Sequence, residues 1–179
     1  MADVRDVLRG QFELTWSLFE YHLERLTPED LLWEPAELCW TVRVDSAGGW
    51  RADWSDQALD PIPVPTIGWL SWHIGWWWSV AIAHARGFVP PERAAVRWPG
   101  DLARTLGWMR ALHDDWAHLL DDADDSVLAL PAAFPWPPET GRSMADLYGW
   151  VNAELMKNAA EIGQLRLLRA AEGADRMVG

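Results

Sequence analysis

The sequence predicts an all-α chain built as a four-helix bundle, and three observations carry that prediction. Four long segments place apolar residues at the helical period of about 3.6. Capping or breaking residues bracket each of them. Between the first and second, the period disappears across one long connection. Amphipathic helices must bury their apolar stripes against one another, and four of them do so most simply as a bundle.

The first helix is expected over roughly Val4 to Leu26, with Leu8, Phe12, Trp16, Phe19, Leu23 and Leu26 as its stripe. Thr27-Pro28-Glu29-Asp30 then combines a capping residue, a first-position proline and two acids. It predicts a short helical turn ending near Trp33. From Glu34 to Pro65 no helix is expected. "LCWTVRVDSAGGWRADW" alternates partially around Ser-Ala-Gly-Gly, so a small hairpin is possible there, and "DPIPVP" stiffens the exit. Connections of this length in folded domains are often functional, which makes this one a candidate lid or partner surface.

Thr66 is the expected N-cap of the second helix, which runs to Gly87. The third is expected from Asp101 to Asp121, with Leu102, Leu106, Met109, His113, Trp116 and Leu120 as its seam. "DDADD" ends it, and "LPAAFPWPPETGRS" forms the next loop. Ser143, with Asp146 three residues on, resembles a capping box opening a fourth long helix to about Ala171. Nothing in composition divides the chain, so residues 1–179 read as one domain.

Composition removes several classes of function. The net charge is −12, with 27 acidic residues against 15 basic ones, of which Lys157 is the one lysine. Such a field repels phosphate backbones, so no nucleic-acid partner is expected. The single cysteine, Cys39, excludes an intrachain disulfide and reads as a small buried residue. The first residues show no signal-peptide core, and a cytoplasmic location is expected. Ile67 to Ala83 carries no formal charge and approaches a membrane span in length. His73 in its middle, tryptophans throughout its depth and the lack of flanking basic clusters make it a buried core helix instead. No membrane association is expected.

Tryptophan is abundant, with 15 against 2 tyrosines and 4 phenylalanines. A thick aromatic core follows, and with it a candidate pocket wall of Trp69, Trp76 and Trp77. "PTIGWLSWHIGWWWS" sets His73 among these rings. His84, eleven residues after His73, returns to roughly the same face; His113 falls inside the third helix's seam, His22 lies at the margin of its stripe, and His118 faces outward. On the fourth helix, Glu154, Asn158 and Glu161 lie at spacings of four and three, so they line one face. That polar stripe is either a solvated edge or one side of a site. No phosphate loop, nucleophile elbow or zinc-type cysteine pairing is present, and no catalytic residue can be assigned.

"TIGWLSWHIGWWW" and "NAELMKNAAEIGQLRLL" resemble the DinB-like superfamily, which includes mycothiol- and bacillithiol-dependent transferases and maleylpyruvate isomerases. "LTPEDLLWEPAELCWTVR" is similar to its actinobacterial members. The resemblance implies a bundle holding a divalent metal, zinc or nickel, on three side chains. His73 takes the second-helix position, and Glu154 and Asn158 take the two fourth-helix positions. Asn158 departs from the histidine usual there, and an amide oxygen is a weak donor to zinc or nickel. Glu161 or His113 could complete the set, or His73 could pair with Glu154 without a metal. The implied activity is metal-dependent thiol transfer or hydrolysis using a low-molecular-weight thiol such as mycothiol. The alternative is a non-catalytic binding or interaction protein that has lost the metal. A homodimer is possible in either case.

Overall fold

The computed structural model describes the backbone of residues 3–178 and the side chains of 3–173. Four long helices dominate it: α1 (Val4–Leu23), α2 (Ile67–Ala85), α3 (Leu102–Asp122) and α5 (Met144–Val178), with a single turn, α4 (Asp125–Leu128), between the last two. Around the bundle the neighbours run α1, α5, α2, α3 and back to α1.

Contacts along the helices set their directions. Asn152 donates to the Leu8 carbonyl and Arg169 reaches Thr27, so α1 and α5 run parallel. Arg110 pairs with Glu20, whereas Arg9 pairs with Asp121, so α3 runs against α1. Gly75 approaches Trp108 and Arg86 pairs with Asp115, so α2 and α3 are parallel. The α2–α3 connection therefore returns along the bundle. It is pinned near the start of α2, where Trp98 Nε1 donates to Ser71 Oγ at 2.9 Å and Trp72 Nε1 to the Val96 carbonyl at 3.0 Å.

Local chemistry explains the helix boundaries. Thr66 Oγ1 accepts from Trp69 N, and Asp101 Oδ1 from Arg104 N, capping α2 and α3. Ser143 and Asp146 form the expected reciprocal box at the start of α5. Gly87, at φ 70°, lets the chain leave α2 in the left-handed conformation. Three boundaries differ from expectation. α1 stops at Leu23, and Leu26 is buried from the following turn. α5 runs past Ala171, because Ala, Glu, Arg and Met there are helix formers and a lone Gly173 does not stop it. On α3 the buried stripe is Thr105, Met109, Leu112, Trp116 and Leu120; Leu102, Leu106 and His113 are half-buried. Leu112 and His113 are adjacent, and the apolar one takes the core position.

Within the long connection, the Pro28–Asp30 turn forms with its Thr27–Asp30 box. The hairpin is present as β2 (Val42–Val44) against β3 (Trp50–Ala52), in register Val42 to Ala52. Asp45 closes it by accepting from Ala47 N and Gly49 N. A second pairing joins β1 (Cys39–Trp40) in parallel to β4 (Val64–Pro65). Two-residue strands carry no sequence period, which is why this pairing was not expected. Cys39 is half-buried rather than buried, its thiol donating to the Ala36 carbonyl at 2.9 Å.

The core centres on Phe12, Phe19, Trp78, Trp116, Tyr148, Leu155 and Ile162, all nearly inaccessible. No helix of the described residues is long and apolar enough to cross a membrane.

Gly75 marks the closest approach of α2 to α3. A Cβ built there falls inside the Trp108 indole, whereas one at Gly107 meets nothing. Gly75→Ala should therefore destabilise by about 1–3 kcal/mol through overpacking. Gly107→Ala should stabilise by up to about 1 kcal/mol through helix propensity. Urea denaturation of both variants checks the pair; equal midpoints would contradict the packing described.

Candidate functional site

His73 sits in the middle of α2, on the side that meets α5. Its ring stacks on Trp69 at 5.0 Å between centroids and 13° between planes, and lies 6.0 Å from Trp76. Across the helix interface, His73 Nε2 lies 3.9 Å from Glu154 Oε1, with side-chain exposures of 18% and 20%. That distance is longer than a hydrogen bond, so the contact is electrostatic. His73 Nδ1 is buried without a hydrogen-bond partner among the described residues, and Nε2 is the ring nitrogen that faces the carboxylate. Lys157, one turn along α5, also bonds Glu154 Oε1.

The His73 ring holds the Glu154 carboxyl below the ordinary glutamate range, against the opposing desolvation of half-burial, and Lys157 adds to the effect. Glu154 is thus an anion at neutral pH, flanked by an imidazole and an ammonium.

Asn158 is 1% exposed, and both ends of its carboxamide are in use. Trp77 Nε1 donates to Asn158 Oδ1 at 3.2 Å, and Asn158 Nδ2 donates to Glu161 Oε2 at 2.8 Å. An indole N–H can only donate and a carboxylate can only accept, so this chain fixes which end of the amide is which. The oxygen points at Trp77.

The proposed completing residues lie apart from one another. Glu161 is taken up by Asn158. His113 packs against Phe12 and Trp16, at 5.3 and 4.2 Å between ring centroids, and contacts Asp114 at 2.9 Å. It thus belongs to the α1–α3 face. His22 rests on Gly163, and His84 stacks on Phe134 at 5.4 Å. Burial lowers the pKa of both, with Arg166 and Arg25 adding to the effect at His22. Among the described residues, no three of His, Cys, Asp and Glu converge as a metal site.

The tryptophans named as a pocket wall are covered by other rings. Trp69 is sandwiched between His73 and Trp40, the latter at 4.9 Å, and its N–H donates to the Asp53 carbonyl at 2.7 Å. Trp76 meets Trp54 and Trp72, at 5.6 and 6.0 Å. Trp77 is 3% exposed and meets Trp150 at 5.4 Å. These rings bind the long connection to α2. Arg93 adds its guanidinium over the Trp54 ring, 4.2 Å from the centroid.

The model of the DinB superfamily matches residues 11–162. The chain belongs to the DinB superfamily. The match takes in the His73 helix and the whole Glu154–Glu161 stripe. No curated protein and no solved structure matches the chain.

Trp77 is the participant that sequence reasoning misassigned, as a wall instead of the donor to Asn158. α2 and α5 run antiparallel, so an indole one turn beyond His73 must reach diagonally back to meet Asn158. Side-chain spacing along one helix carries no sign of that reach.

Acid should weaken the fold through Glu154. Its folded pKa is depressed, so as pH falls the unfolded chain takes the proton first. The stabilisation is whole above the ordinary glutamate value of about 4.3 and is lost as pH drops toward the folded value. Glu154→Gln should flatten the stability–pH curve in that window, measured by urea midpoints between about pH 6 and 3. An unchanged acid limb would remove Glu154 from this role.

Proposed function

We propose that this protein is a metal-independent member of the DinB superfamily that binds a small molecule and does not transfer thiols. The observation that carries the reading is the Trp77–Asn158–Glu161 chain. Asn158 occupies the position where the family pattern calls for a third ligand, and its only metal-competent atom faces an indole N–H. His73 and Glu154 remain, a two-donor set. Tetrahedral zinc sites of the structural or catalytic kind use three or four protein ligands, so this donor set does not fit. The Lys157 ammonium on Glu154 opposes a second cation at the same carboxylate.

Without a metal, the His73–Glu154–Lys157 cluster remains as a polar interruption in an aromatic interface. The His73 ring faces Glu154, and the carboxylate is balanced by the Lys157 ammonium. Such a cluster fixes how α2 sits on α5, and neither group is aimed at a nucleophile.

Metal analysis of protein purified without a histidine tag tests the reading. Zinc and nickel should fall well below one equivalent, and chelators should leave the thermal midpoint unchanged. No thiol-dependent turnover of an electrophile should appear with mycothiol, even with zinc added. Asn158→His should gain zinc affinity that depends on His73, while losing about 1–3 kcal/mol of stability from the orphaned Trp77 and Glu161 groups. Stoichiometric metal in the wild type that vanishes with His73→Ala would overturn the proposal.

A further inference from the structure

At the end of the bundle where α1 stops, a cleft of about 400 Å³ opens between α1, the Thr27–Trp33 turn and the C-terminal part of α5. Arg25, Arg166 and Arg169 line it, with Thr27, Trp33, Asp30 and Glu172. Three guanidinium groups gather here on a chain of net charge −12, with Asp30 and Glu172 in the lining and Glu24 beside Arg25.

These cations are not equivalent. Arg169 is committed to Asp30, whose carboxylate also accepts from Thr27 N and Oγ1. Arg25 donates to the Tyr21 carbonyl, lies over the Tyr21 ring, and comes within 3.7 Å of Glu24. Arg166 has no such partner among the described residues. Every other arginine with a described side chain pairs with a carboxylate: Arg5, Arg9, Arg43, Arg51, Arg86, Arg93, Arg97, Arg104, Arg110 and Arg142, besides Arg25 and Arg169. In a chain with this excess of acids, an unpaired arginine is the exception. Its Nε is moreover buried and without a hydrogen-bond acceptor among the described residues. A buried donor left unsatisfied is costly, and the same guanidinium, which lines the cleft, is held by no carboxylate among the described residues.

We propose that this cleft binds a small organic anion, its carboxylate or phosphate seated on Arg166 and Arg25 and its body against Trp33. A planar guanidinium pairs with either oxyanion through two parallel N–H donors, which a point charge cannot do. The half-buried indole of Trp33 offers the apolar surface that small-molecule sites place beside a few polar anchors. A cavity of this size suits a ligand of one or two rings. His22, next to the cleft, is held below its ordinary pKa first by burial and then by Arg166 and Arg25, consistent with uncompensated positive charge there. The site lies twelve residues along α5 from Glu154, about 18 Å at helical rise, and stands whether or not His73 holds a metal.

Calorimetric titration of the full chain at low ionic strength decides the matter, with inorganic phosphate, benzoate and, as a cation of similar shape, benzylamine. The two anions should bind and benzylamine should not; the tighter anion identifies the oxyanion class. Arg166→Gln should weaken binding about tenfold or more, and Arg25→Gln by less. Arg166→Lys keeps the charge but loses the fork, so it should fall between wild type and Arg166→Gln and covers the case in which the latter fails to fold. Arg104→Gln, on an exposed pair elsewhere, should bind as wild type. The Trp33 indole resonance, assigned with Trp33→Phe, should shift on titration with benzoate. Equal affinity in the Arg166 variants, or no heat and no shift up to about 10 mM of either anion, would overturn the site.

Discussion

A helix with no charge from Ile67 to Ala83 has to be covered on every side, and most of this structure follows from that requirement. Of the residues of α2, only His73, Trp76, Ser79, His84 and Ala85 escape full burial. Two long helices, α3 and α5, cover two of its faces. The remaining side is closed by chain that is not helical at all. Trp40 and Trp54 from the long connection assemble over Trp69, Trp72 and Trp76, while Trp98 from the returning α2–α3 segment bonds Ser71 and packs against Trp50. Indole suits this purpose because it buries a large area and still satisfies its N–H, here at Asp53, Asp56, Val96 and Ser71. The long connection thus closes the side of α2 that α3 and α5 leave open.

The same economy of polar groups shapes the α2–α5 interface. An amide buried to 1% exposure has to satisfy donor and acceptor alike, and Asn158 does so between Trp77 and Glu161. Packing against Trp77 takes up its one acceptor oxygen. An imidazole at that position would be free to face a cation, whereas the carboxamide is required by its neighbours. The carboxamide is thus part of the core packing between α2 and α5.

Electrostatics outside the core follows a plain rule. Arginines are few, acids are many, and nearly every guanidinium finds a carboxylate on the surface. Most such pairs contribute little to stability individually, since solvent screens them. Among the described residues they leave Arg166 as the arginine without a carboxylate partner, in the cleft at the end of α1. Asp30 deepens the contrast. Nearly buried itself, it holds Thr27 and Arg169 together and so ties the first turn of the connection to α5.

The sequence by itself determined the four long helices, their caps at Thr66, Asp101 and Ser143, the hairpin around Gly48, and the face shared by Glu154, Asn158 and Glu161. These features depend on residues near one another in the chain, through period, capping and turn chemistry. It also placed His73 opposite Glu154, through a family resemblance that the superfamily match supports. Only the tertiary structure decided what each group does once there. Trp77 reaches Asn158 across an antiparallel helix pair, His113 turns to α1, and two-residue strands join Cys39–Trp40 to Val64–Pro65. Leu112 displaces His113 from the core because burying an imidazole needs partners that a leucine does not. Arg166, unremarkable among the arginines of α5, is distinguished solely by the missing acceptor at its Nε. Such outcomes depend on which atom lies within about 3 Å of another after the chain has folded, and local sequence pattern does not encode that distance.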